Sequence, residues 1–204
     1  MTAADSPGNQ LLGFIRFNKK NGTLQLTNFE AKITVDNLEL GDTTKRNKTE
    51  QAGTHGEGLK VASLVMCRNG HRVQYKSSDF RFNFGFRGAN NTKFYCGLRK
   101  AADTAIQKQK AAYAAGLVAG RREALKAFIL RDISVLIAKS RKNDIKIDLK
   151  DFREWLKVTI DVNPPSDIVH TAYSNLIIDH SFADKMYLKE LLLPDLSAKR
   201  LNES

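Results

Sequence analysis

Several functional classes are excluded by what this chain lacks. It has two cysteines, Cys67 and Cys96, with no Cys-x-x-Cys and no matching histidine pair. That rules out a disulfide framework and offers no zinc-ligand spacing, so both are read as core or surface thiols. No apolar run approaches the roughly 20 residues of a membrane-spanning helix. Residues 1–10 lack the basic and apolar stretches of a secretory signal. The expectation is an intracellular protein, cytoplasmic or nuclear, with no membrane contact.

What is present is ordinary globular material: 204 residues, 42% hydrophobic and 27% charged, enough for one domain or one and a half. The net charge of +11 is uneven. Residues 51–150 hold 20 Lys/Arg against 7 Asp/Glu, whereas residues 151–204 hold 6 against 9. Two readings of the basic middle stay open: a solvated face that attracts a polyanionic nucleotide, or a surface for nucleic acid backbone.

The chain is organised around Gly53-Thr54-His55-Gly56-Glu57-Gly58-Leu59-Lys60, followed by the apolar run Val61-Ala62-Ser63-Leu64-Val65-Met66. Three closely spaced glycines ahead of a helical pattern describe a loop whose backbone can approach a ligand before becoming a helix N-terminus. There the unpaired N–H groups and the positive end of the helix dipole favour an anion, phosphate above all. It is not a P-loop, because Leu59 stands where the lysine must follow Gly58. Nor is it a dinucleotide fingerprint, because the order is Gly-x-x-Gly-x-Gly after a polar loop. A glycine-rich turn that merely caps a buried helix is the plainer alternative.

Leu38-Glu39-Leu40-Gly41-Asp42-Thr43-Thr44-Lys45, a polar spacer and Ala52 to Ala62 together resemble the lid and second glycine box of the GHKL superfamily of gyrase, heat-shock chaperone, histidine kinase and mismatch-repair ATPases. The wording is most similar to the MORC-like or chaperone-like branch and to fungal members of it. The resemblance implies a Bergerat-type two-layer α/β sandwich, a mostly antiparallel sheet with helices on one face, here lacking its first helix. It implies ATP as cofactor, with the phosphate role on Gly53, Gly56, Gly58 and Lys60 and the lid role on Thr43, Thr44 and Lys45; Thr54, His55, Glu57 and Leu59 complete the cofactor-binding stretch. The superfamily's first glycine box, Asp-x-Gly, corresponds to Asn28-Phe29-Glu30. Asn28 is thereby the candidate acceptor for the adenine amino group, and Glu30 puts a side chain against the base. The late Gly-Thr pair is replaced by Asp132-Ile133.

The resemblance also implies an early helix with a water-activating glutamate and a magnesium-holding asparagine. Residues 1–27 contain no glutamate, and Asn18 and Asn21 fall in a turn pattern. Without those groups, attack of water on the terminal phosphate lacks its general base and its charge neutralisation. The expectation is a truncated or degenerate nucleotide-binding domain with little ATPase activity, no catalytic residue and no identified Mg2+ ligand. The alternatives are an ATPase completed by another chain and a nucleic-acid-binding module on an inactive core.

Along the chain, residues 1–10 read as a flexible tail, 11–147 as the partial nucleotide-binding domain and 148–204 as an extension or the start of a second domain. Asn21-Gly22 marks a hairpin. The row Phe80, Phe82, Phe84, Phe86 alternates with polar residues as a half-buried strand does. Leu59, Ala62, Leu64, Val65 and Met66 form the apolar side of a helix against the sheet, residues 101–119 form an alanine-rich helix, and Asp132 to Ala138 reads as a strand. Phe152, Trp155 and Leu156 share one face of a helix. The segments 176–179 and 186–194 read as a strand pair, leaving Leu188, Leu191, Leu192 and Leu193 for a homo- or hetero-oligomer contact.

Overall fold

The computed structural model describes residues 2–4, 11–38, 58–118, 125–140, 145–160, 162, 164–172, 174–188 and 191–193. The chain forms two compact units, residues 1–49 with 53–149, and residues 50–52 with 150–204.

The first unit is α/β. Its elements are β1 (Thr2–Ala4), β2 (Leu11–Asn18), β3 (Thr23–Asn28), α1 (Gly58–Arg68), β4 (His71–Ser77), β5 (Phe80–Arg87), β6 (Lys93–Lys100), α2 (Asp103–Val118) and β7 (Ile133–Lys139). The sheet order is β1-β2-β3-β7-β4-β5-β6, with antiparallel pairing at every step. Because β7 is antiparallel to both of its neighbours, β3 and β4 run parallel to each other. The crossover between them carries α1, giving a split β-α-β arrangement. Thr2–Ala4, inside the stretch read as a tail, pairs with β2 as an edge strand.

The β2–β3 hairpin forms where Asn21-Gly22 marks it. Gly22 has φ 61°, and its N–H donates to the Asn18 carbonyl at 2.9 Å. A Cβ there would lie 2.7 Å from the Ile147 carbonyl oxygen, so both conformation and space require glycine.

Strand alternation sorts the side chains into two faces. Val73, Tyr75, Phe82 and Phe84 form the core on one face, and Leu59, Met66 and Cys67 of α1 pack on it. The phenylalanine row behaves as its period requires: Phe82 and Phe84 are buried, Phe80 and Phe86 partly so. Phe84 also stacks on Phe94 with ring centroids 5.8 Å apart.

Helix α1 differs from its apolar pattern. Ser63 is its buried residue, while Val61 and Val65 are half-exposed and Ala62 is exposed. The inward stripe is therefore Leu59, Ser63 and Met66 with Cys67, at offsets of four, seven and eight. The Ser63 hydroxyl donates to the Leu59 carbonyl at 2.8 Å and lies 3.3 Å from the Tyr75 hydroxyl, which makes its burial affordable.

A second cluster, Ala101, Ile106 and Ile129 with Leu130, ties α2 to the segment that enters β7. Tyr113 stacks on Phe128 with centroids 5.1 Å apart. Asp132, fully buried, closes that segment by accepting from the Phe128 N–H at 2.7 Å and the Glu30 N–H at 3.1 Å. Its place beside the end of β3 follows from the Asn28–Ile133 pairing.

The second unit contains α3 (Leu149–Leu156), β8 (Ile168–His170), β9 (Asn175–Ile177), β10 (Tyr187–Leu188) and β11 (Leu191–Leu192). The segments expected to pair with each other do not. Instead β9 pairs with β8, and β10 with β11, since local hairpins close shorter loops at lower entropic cost. Asp179 accepts from the backbone and hydroxyl of Ser166 and of Ser181, at 2.7 to 3.0 Å. These bonds, the Ser166 N–H foremost, hold its carboxyl well below the usual range. Trp155 is half-buried and no residue of α3 is fully buried. Leu192 and Leu193 are half-buried, whereas Val169, Leu176, Ile178 and Met186 are the exposed apolar side chains in this unit's hairpin region.

Replacing Asp132 by alanine strands two backbone donors. At about 1–3 kcal/mol for each buried unsatisfied group, Asp132→Ala is expected to lower unfolding stability by roughly 2–6 kcal/mol in urea denaturation. An unchanged midpoint would show that Asp132 does not hold the Phe128 turn.

Candidate functional site

Of the residues that the sequence assigns to a nucleotide site, Asn28, Gly58, Leu59 and Lys60 are among the described residues; Thr43, Thr44, Lys45, Gly53, Thr54, His55, Gly56 and Glu57 lie outside them. Gly58 is the first residue of α1 and is exposed; a Cβ at this position would meet nothing within 4 Å. Its glycine is thus not required by close packing. Leu59 faces the core and Lys60 is half-buried in the first turn.

The helix leads from the glycine box directly over a cavity. A space of about 290 Å³ lies between Ala62, Ser63 and Met66 of α1 and the sheet residues Leu26, Asn28, Val73, Tyr75, Ile133, Val135 and Ile137. Its walls are mostly aliphatic, with the Asn28 amide and the Ser63 and Tyr75 hydroxyls as polar groups. This is the composition of a site that takes a flat apolar body and orients it with a few hydrogen bonds. Asn28 and Ile133 are direct cross-strand partners, so the ends of β3 and β7 meet there. Ser63, Tyr75 and the β7 side chains were not singled out as site residues. Tyr75 was legible only as one member of an alternating strand, and Ser63 was hidden in an apolar run.

Glu30, which the resemblance sets in the place of the first box's glycine, does not line this cavity. Its φ of 54° is left-handed, the region that favours glycine, and the chain reverses there. Its carboxylate pairs with Arg131 at 2.7 Å and accepts from the Tyr113 hydroxyl at 3.4 Å. Together with Arg16, Gln25, Lys76, Gln109 and Ser134, Glu30 lines a separate cavity of about 640 Å³. The reason is the backbone: an extended chain would put Glu30 on the same face as Asn28, two residues earlier, but β3 ends at Asn28 and the left-handed turn at Glu30 redirects its side chain.

No three His, Cys, Asp or Glu side chains gather as a metal site among the described residues. Nor is any helix there long and apolar enough to cross a membrane. Set against known proteins, the chain matches no family model, no curated protein and no solved structure.

The acid–base groups around the core favour their neutral forms. Burial pushes the Cys96 thiol from an ordinary 9.0 up to about 11, against a backbone hydrogen bond from Asn83. Burial likewise raises Cys67, and it raises Tyr75 against the hydrogen bond from Ser63. A proton held more tightly by the folded than by the unfolded chain stabilises the fold below the unfolded pKa and ceases to do so above the folded one. The urea midpoint is therefore expected to hold below pH 9.0 and to fall as the pH rises toward about 11. A midpoint flat across that window would contradict the burial of these groups.

Proposed function

We propose that this chain is a nucleotide-binding domain of the GHKL type that binds ATP and has little hydrolytic activity of its own. The observation that carries the reading is the cavity under α1. The helix that follows the glycine box forms one wall, and Asn28, the candidate base acceptor, stands in the other together with Ile133. On this reading the phosphates lie at the start of α1, favoured by the helix dipole, and the base enters between α1 and the sheet. Left-handed Glu30 gives support of a different kind, because it stands where the resemblance places a glycine.

We assign no side chain as a magnesium ligand. Residues 1–27 hold no glutamate, and the described residues offer no acidic cluster. The chain's own contribution is to bind and orient the nucleotide, and no side chain is assigned as general base. We place the protein inside the cell, where ATP is available.

Equilibrium titration with ATP and a non-hydrolysable analogue, with and without magnesium, tests this. The wild type is expected to saturate and Gly56→Val to lose binding, because a β-branched side chain blocks backbone approach. Asn28→Ala is expected to weaken binding by about tenfold, the value of one hydrogen bond near 1.4 kcal/mol. Phosphate release should stay near the uncatalysed rate. An absence of binding at millimolar nucleotide, or equal binding by Gly56→Val, would overturn the reading.

A further inference from the structure

The face of the sheet turned away from α1 has a different chemistry, which the nucleotide reading does not use. On β4 it carries Arg72, Gln74 and Lys76; on β5, Arg81, Asn83 and Gly85; on β6, Tyr95, Gly97 and Arg99. Register places Lys76 directly opposite Arg81, and Arg81 directly opposite Arg99. Three cations thus form a row across three neighbouring strands, about 5 Å apart at the backbone. Arg72 lies on the same face of β4, four residues before Lys76.

Like charges directly opposite each other destabilise a sheet, and among the described residues no ion pair offsets these. None of Arg72, Lys76, Arg81 and Arg99 forms an ion pair with a carboxylate among the described residues. The Nε atoms of Arg72 and Arg81 are buried without a hydrogen-bond partner. The Lys76 ammonium is held below its ordinary pKa by burial and then by Arg81 and Arg72. Folding alone would favour a glutamate in the middle of this row. An incoming polyanion would neutralise it.

Beside the cations lies an aromatic platform. The Tyr95 ring sits 3.7 Å from where a Gly85 Cβ would be and 3.5 Å from where a Gly97 Cβ would be, so it lies over these two positions of the sheet. The ring is 36% exposed, and the Arg87 guanidinium carbon is 5.2 Å from its centroid. At the strand end Arg72, Gly85 and Tyr95 border an open hollow of about 720 Å³ whose other wall is Arg68 of α1 with Phe86, Asn90 and Thr92. That hollow has room for an unstacked base.

The geometry points to a single-stranded nucleic acid site on this face, with phosphates on the Lys76–Arg81–Arg99 row and Arg72, and a base on Tyr95. An accessible ring on a basic sheet suits an unpaired base, whose face is free. A duplex keeps its bases stacked inside, and a membrane surface would want apolar side chains, which β4 to β6 do not present on this face.

The test is fluorescence anisotropy of the full chain with a short labelled oligothymidylate across a salt series. The wild type is expected to bind with a steep negative slope of log affinity against log salt. Arg99→Glu should weaken binding at least tenfold and flatten the slope by about 0.7 or more, the share of one phosphate contact on a single strand. Its thermal midpoint should be unchanged or higher, since glutamate opposite Arg81 replaces repulsion with attraction. Tyr95→Leu should weaken binding several-fold with the slope intact. Added ATP should not displace the oligonucleotide, which separates this site from the glycine box. Equal affinity of wild type and Arg99→Glu, an unaffected Tyr95→Leu, displacement by ATP, or tighter binding to duplex or to phosphatidylserine vesicles would each overturn the proposal.

Discussion

The first unit depends on β7 entering the sheet between β3 and β4. These two strands are joined through α1 and cannot pair with each other once β7 lies between them. The insertion brings Asn28 against Ile133 at one end and His71 against Lys139 at the other. It also makes the approach to β7 a structural problem, since the segment before it must turn in under α2. Asp132 meets that need with two backbone hydrogen bonds, and the Tyr113–Phe128 stack covers the turn.

Much of this was legible in the residues, and the parts that were not share a cause. Strands β4 and β5, the β2–β3 hairpin and α2 follow from period, turn residues and alanine content, all local properties. The place of β7 in the sheet order is set by pairing over about a hundred residues, which no local pattern encodes. The inward stripe of α1 was misjudged because nearly every position from 61 to 66 is apolar, so the run carries no phase. Tertiary contact with Tyr75 chose Ser63 for the core. Glu30 is hidden for a related reason. Sequence shows a glutamate after Asn28-Phe29, but only the backbone direction shows that its side chain leaves toward Arg131. The glycine box was legible as a motif, yet of its residues only those from Gly58 onward are described.

Sheet alternation gives the unit two surfaces of opposite character from the same strands. On β4, Val73 and Tyr75 are buried under α1 while Arg72 and Lys76 point the other way; on β5, Phe82 and Phe84 alternate with Arg81 and Asn83. The basic surplus of residues 51–150 is therefore not diffuse. Part of it is focused on one face, where neighbouring strands add their charges in register. The two proposed phosphate sites, one at the start of α1 and the other a row of side-chain cations, lie on opposite sides of one sheet.

These two modes make different demands on the fold. A helix N-terminus offers partial charge that the helix carries in any case, so an anion there costs the unliganded protein little. A row of lysine and arginine side chains held in register costs stability until the ligand arrives, and the unpartnered Nε atoms of Arg72 and Arg81 add to that cost. The core face must supply the difference, and it is deeply buried there: Val73 and Phe82 are each only 1% exposed. They lie on the same two strands as Lys76 and Arg81. The packing that anchors β4 and β5 on one side thus allows like charges to stand opposite each other on the other, and a weaker core at these strands would lose the cationic row first.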